Sequence, residues 1–118
     1  MDLRNLFRRA EKTEERSAGE LIFEEGTPGD VMYVVLEGRV EIMVRGKSIA
    51  KVGRGEIVGE MALVDSKARG ASAVAITDCT LAVVGEQQFL LLVQQTPAFA
   101  LHVMRVLAAR LRRMDASA

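Results

Sequence analysis

The runs Val31-Met32-Tyr33-Val34-Val35-Leu36 and Val40-Glu41-Ile42-Met43-Val44, with Glu37-Gly38-Arg39 between them, decide the fold. β-Branched residues dominate both, a composition that suits a pleated, buried surface, and the glycine between them supplies a tight corner. Two strands joined by that corner are the expectation. Further along, Arg45-Gly46-Lys47 reads as a second turn, of hairpin type, and Ser48-Ile49-Ala50-Lys51-Val52 as the strand it delivers. From Gly19 to about Val84, short apolar runs are broken by glycine at Gly26, Gly29, Gly38, Gly46, Gly53, Gly55 and Gly59. Turn signals this closely spaced favour a sandwich or barrel, which shortens or removes exposed strand edges.

One segment breaks the strand rhythm. Gly59-Glu60-Met61-Ala62-Leu63-Val64 places good helix formers directly after a glycine and gives way to the polar loop Asp65-Ser66-Lys67-Ala68-Arg69. Strand texture resumes at Ala71-Ser72-Ala73-Val74-Ala75-Ile76 and Leu81-Ala82-Val83-Val84, then ends at Gly85. Glu86 to Gln95 reads as one helix. Thr96-Pro97 starts another that runs to about Met114, with threonine as cap and proline in the first turn. In that last helix Ala100, Met104, Leu107, Leu111 and Met114 form a narrow apolar seam, expected to pack on its own domain, with a homodimer contact as the alternative. At the other end, Asp2 to Arg16 carries Leu3, Leu6, Phe7 and Ala10 at helical spacing and is expected to be a short amphipathic helix.

The chain has 118 residues, 49% hydrophobic and 27% charged, which suits one globular domain over residues 1–118. Sixteen Lys and Arg balance sixteen Asp and Glu, so no overall positive field attracts nucleic acid or an anionic membrane. An anion must be caught locally. No apolar run reaches the roughly 20 residues of a membrane span, and Met1-Asp2-Leu3-Arg4-Asn5 lacks the layout of a secretion signal, so a cytoplasmic location is expected. Cys79 and His102 are the only cysteine and histidine. Metal and nucleophile chemistry draw on those residue types, so no metal site and no enzyme activity are expected. Cys79 reads as a small buried side chain and His102 as a solvated helix residue. Arg105, Arg110, Arg112 and Arg113 gather where cations complement the negative end of the helix dipole.

Arg69 is the most informative residue. It is the only charge between Lys67 and Asp78 and precedes the small, largely apolar run Gly70-Ala71-Ser72-Ala73-Val74-Ala75-Ile76. A guanidinium offers a planar fork of donors to phosphate oxygens and keeps its charge wherever it is placed. Ten residues earlier Gly59 lets the backbone approach a ligand closely, and the turn of helix from Glu60 directs N–H groups at an anion. Glu60 would repel a phosphate it faced, but it suits a sugar hydroxyl alongside. A sugar phosphate fits both residues.

Gly59-Glu60-Met61-Ala62-Leu63, then Arg69 and Ala71, resembles the phosphate-binding cassette of cyclic nucleotide-binding domains, of the catabolite activator and protein kinase A regulatory subunit type. Gly19 to Asp30 and Tyr33 to Val40 resemble the front strands of that family, and the likeness runs from about Leu6 to Met114. It implies a mainly β fold, a double-stranded β-helix or jelly-roll-like β-roll, with a short cassette helix, an N-terminal helix and C-terminal helices. It further implies that Arg69 pairs with the cyclic phosphate and that Glu60 accepts from the ribose 2′-hydroxyl. Gly59, Ala62 and Ala71 would give backbone contacts, Met61 would touch base or ribose, and Ile42 would form an apolar wall under the purine. Gly70 lacks the hydroxyl associated with a guanine preference, which favours cAMP over cGMP as ligand, and Ala68 stands where proline is common. By the same resemblance the last helix swings over the base near Arg110, Leu111 and Met114, with Arg110 reaching the pocket.

Two rivals stand beside this reading. A cupin-like metalloenzyme also closes short strands around a ligand, but it needs histidines and carboxylates pointing inward. A degenerate domain that binds nothing would serve as an interaction module. No helix-turn-helix is expected from these residues, which leaves direct contact with a nucleic-acid polymer unexpected. The output partner is not legible, and the residues are compatible with being a piece of a longer protein.

Overall fold

The computed structural model describes residues 3–4, 6–7, 12–65 and 67–117, except for the side chains of 65 and 114–117. The elements follow in the order β1 (Thr13–Arg16), β2 (Leu21–Phe23), β3 (Val31–Glu37), β4 (Val40–Val44), β5 (Lys47–Val52) and β6 (Ile57–Val58), then α1 (Glu60–Asp65), β7 (Ser72–Ala75), β8 (Cys79–Gly85), α2 (Glu86–Gln95) and α3 (Pro97–Ser117). The strands form two antiparallel sheets, ordered β1-β8-β3-β6 and β2-β7-β4-β5. The mainly β, jelly-roll-like architecture is therefore present. The Gly38 corner carries the chain from one sheet to the other: its φ is +96°, and a Cβ there would lie 2.7 Å from Cys79 Sγ. Any larger residue would push the corner off the strand that follows it in space. Arg45 and Gly46, both at positive φ, close a two-residue hairpin between Val44 and its partner Lys47.

Apolar residues in β3 face both ways. Tyr33 and Val35 enter the space between the sheets with Ile22, Val40, Ile42 and Leu81. Met32 and Val34 face outward and are covered by Leu3, Phe7, Phe99 and Val103, with Ile57 beside them. A strand buried on both faces needs an unbroken apolar run rather than alternation, and Val31 to Leu36 is such a run. Phe89 of α2 meets Phe99 of α3 edge to face at 5.7 Å, which fixes the bend where Pro97 starts the last helix. Among the described residues no single helix is long and apolar enough to cross a membrane.

Three expectations need correction. Thr13–Arg16 is not helical but an edge strand, registered from Thr13↔Ala82 to Arg16↔Cys79. The ladder offered by β8 outweighs the local pattern, and Arg16 Nη2 donates to Glu14 Oε1 at 2.6 Å two residues along one face. Leu3, Arg4, Leu6 and Phe7 lie in turns, with Leu3 and Phe7 buried, and the remainder of the expected N-terminal helix lies outside the described residues. The packing face of α3 is rotated from the expected seam: Phe99 and Val103 are buried and Leu107 of the seam packs beside them, whereas Met104 and Leu111 are exposed at 62% and 48%. His102 is half-buried rather than solvated; its Nε2 is enclosed without a partner, and burial pushes its pKa below the usual range. Cys79 is buried, as its strand context implies.

Candidate functional site

The β6–α1 junction and the β7 approach meet at a cleft that is partly open to solvent. Gly59, Glu60, Met61 and Ala62 line it from the junction, and Arg69, Gly70 and Ala71 from the loop opposite. Ile42 and Ile49 give it an apolar wall from β4 and β5, Phe23 closes it from β2, and Arg110 reaches in from α3. All nine residues singled out in the sequence thus line one cleft.

Glu60 opens α1 and is only 1% exposed. Its Oε1 accepts from Arg110 Nη1 in a buried ion pair, while Arg110 Nη2 donates to Ile57 O at 2.6 Å. Glu60 Oε2 is buried and has no partner among the described residues. A buried carboxylate oxygen without a donor is costly, so this atom is suited to accept from a hydroxyl brought in by a ligand. Arg110, one of the cations towards the end of α3 and the residue that the resemblance sends into the pocket, is 8% exposed and turned inward. Leu111 points out, and the side chain of Met114 lies outside the described residues.

Arg69 is 6% exposed although it sits in a loop. Its backbone is tied twice to the β2–β3 connection, with Arg69 N–H donating to Thr27 O and Gly26 N–H donating to Arg69 O, both at 2.8 Å. Its Nη1 donates to Gly59 O at 3.0 Å. Gly59 has φ +79°, and a Cβ there would lie 2.7 Å from that Nη1, so glycine is needed for both backbone shape and closeness. Burial pulls the arginine pKa down, while Tyr33, Asp30 and Glu60 pull it up. With an ordinary value far above neutrality the side chain stays charged, and a buried charge seeks an anion.

Phe23, Ile49 and Gly29 belong to this site and were not singled out in the sequence. The Arg69 Cζ lies 4.3 Å from the centroid of the Phe23 ring, a cation–π contact. Gly29 backs the same guanidinium, since a Cβ there would come within 2.5 Å of Arg69 Cζ. It is therefore more than a turn former. Ile49 could have been suspected only from its place on the strand after Ile42. Among the described residues no three His, Cys, Asp or Glu side chains gather as a metal site would require.

A family model described as the cyclic nucleotide-binding domain matches residues 13–96, and the chain belongs to that family. It is 35% identical over 102 residues to the cyclic AMP receptor protein of Thermus thermophilus, an alignment covering 82% of this chain and 47% of that protein. The crystal structure of the Thermus thermophilus catabolite activator protein superposes with a TM-score of 0.77 at 33% identity, covering 90% of this chain and 52% of that one. Structures of the EAL enzyme Bd1971 in cAMP-bound and cGMP-bound forms match at TM-score 0.68 and 38% identity, covering 90% of this chain and 29% and 30% of theirs. The chain spans about half the length of the Thermus relative and less of the others.

Proposed function

We propose that this chain, over residues 1–118, is a sensor domain that binds a cyclic mononucleotide and does not turn it over. cAMP is the preferred ligand, with cGMP as the weaker alternative. The carrying observation is that a buried arginine and a buried carboxylate, the latter with one oxygen lacking a donor, line the same cleft. Arg69 would pair with the cyclic phosphate and Glu60 Oε2 would accept from the ribose 2′-hydroxyl. Ile42 and Met61 would face the base or ribose, while Gly59, Ala62, Gly70 and Ala71 would allow close backbone contact. The cAMP receptor and the cyclic nucleotide-bound enzyme structures among the relatives support this ligand class.

Signalling would follow from Arg110, which ties α3 to Ile57 and Glu60 at the cleft. A ligand hydroxyl arriving at Glu60 changes what that tie holds, and it shifts α3 only as far as it binds one arrangement better than another. The exposed Leu101, Met104 and Leu111 of α3 offer a face for a homodimer or an output protein, in a cytoplasmic setting with no membrane or nucleic-acid polymer as direct partner. Titration calorimetry with cAMP and cGMP tests the reading. Arg69→Ala is expected to weaken cAMP binding at least about thirtyfold, about 2 kcal/mol, because the phosphate loses its charged partner. Unchanged affinity in that variant would remove Arg69 from the site, and a flat trace with both nucleotides would favour the non-binding interaction module.

A further inference from the structure

We infer that Phe23, together with Gly29, positions the Arg69 guanidinium for an anion, an assignment that rests on the ligand-binding reading of the cleft. Among the described residues one bond at Arg69 Nη1, 3.0 Å to Gly59 O, holds this group, and its Nε is buried without a partner there. A single hydrogen bond leaves the guanidinium plane free to turn about it. The plane is fixed instead by what lies on its faces: the Phe23 ring, 4.3 Å from Cζ, and the Gly29 backbone, so close that a Cβ would come within 2.8 Å of Arg69 Cδ.

An aromatic face has a chemical advantage over a carboxylate in this place. It stabilises the cation through the ring quadrupole without taking up an N–H and without cancelling the charge, and the effect grows when water is excluded. The donors therefore remain available to a phosphate oxygen. Phe23 is itself anchored: its backbone pairs with Ala73 of β7, four positions beyond Arg69, and its ring stacks on Tyr33 of β3 at 6.3 Å and 12°. The arginine is thus referenced to both sheets rather than to its own loop.

The test uses the full chain, with cAMP and with ribose 3′,5′-cyclic phosphate, which lacks the base. Phe23→Leu is expected to weaken both about tenfold, or about 1.4 kcal/mol, and Phe23→Tyr, which keeps the ring, to stay within about twofold of wild type. Gly29 is not in the left-handed region, so Gly29→Ala tolerates the backbone and acts by pushing the guanidinium aside; a loss of tenfold or more is expected from it. In NMR spectra of the ligand-free protein the Arg69 Hε resonance, displaced by the ring current of Phe23, should move in both Phe23→Leu and Gly29→Ala. Wild-type affinity in Phe23→Leu, a loss confined to the ligand carrying a base, or an unmoved Hε would each overturn the positioning role. A wild-type protein that binds neither ligand overturns the ligand reading instead, and the Hε resonance then decides alone whether Phe23 holds the arginine.

Discussion

The two faces of β3 support two different interiors. Behind the strand, Met32 and Val34 meet Leu3, Phe7, Phe99 and Val103 in a cluster of apolar side chains. In front, beyond Tyr33 and Val35, the space between the sheets opens on a cleft that holds buried Glu60, Arg69 and Arg110. The back is complete in itself, because dispersion and water exclusion require no further partner. The front is incomplete, because Glu60 Oε2 and Arg69 Nε are enclosed without hydrogen bonds among the described residues. One interior is closed by its own packing, and the other leaves polar groups for a partner to satisfy.

Four substitutions would break or sharpen this contrast. Phe99→Ala, at a position with 0% exposure, should cost about 3–5 kcal/mol in urea unfolding while the folded protein keeps its ligand affinity. A large change in affinity at low denaturant would show that the back packing sets the geometry of the cleft within the native state. Arg110→Met should cost about 3 kcal/mol, because it leaves the Glu60 carboxylate buried without a counter-charge, and adding Glu60→Gln should restore most of the loss. A loss near the ~0–1 kcal/mol of a surface pair would mean that the front charges are well hydrated.

The smallest effect is expected at His102. Burial lowers its pKa in the fold, with Arg105 and Arg110 acting in the same direction and Glu56 against them. The unfolded chain then binds more protons as pH falls, so the stability is full above the ordinary value of 6.5 and declines as pH drops below it towards the lower folded value. His102→Gln should flatten this decline in thermal melts between about pH 7 and 5. An equally steep decline in the variant would assign the acid sensitivity to other groups.

Much of this was legible in the sequence, for physical reasons that differ by residue. The β3 and β4 runs declare themselves because burial on a sheet demands β-branched side chains, and α2 because Gly85 and Pro97 bracket it. Arg69 and Glu60 stand out because an isolated charge in apolar surroundings needs a reason. Phe23 gives no such signal: Leu21-Ile22-Phe23 reads as any short strand, and its importance arises from a guanidinium that the β2–β7 pairing brings beside it. The same holds for β1, whose Thr-Glu-Glu-Arg sequence favours no strand until β8 offers an edge. The orientation of α3 escaped for a related reason, since the seam through Met104 and Leu111 and the true face through Phe99, Val103 and Leu107 are both apolar at helical spacing. Choosing between them requires the surface on which the helix lands.

Because alternate side chains of β3 are keystones of opposite compartments, neither compartment can melt while the other stays native. Loosening the helical layer would release Met32 and Val34, and with them the ladder that keeps Tyr33 under Phe23. Ligand occupancy and global unfolding are thereby coupled through a single ribbon, and tightening the cleft should slow solvent access to amides on the far side of the molecule.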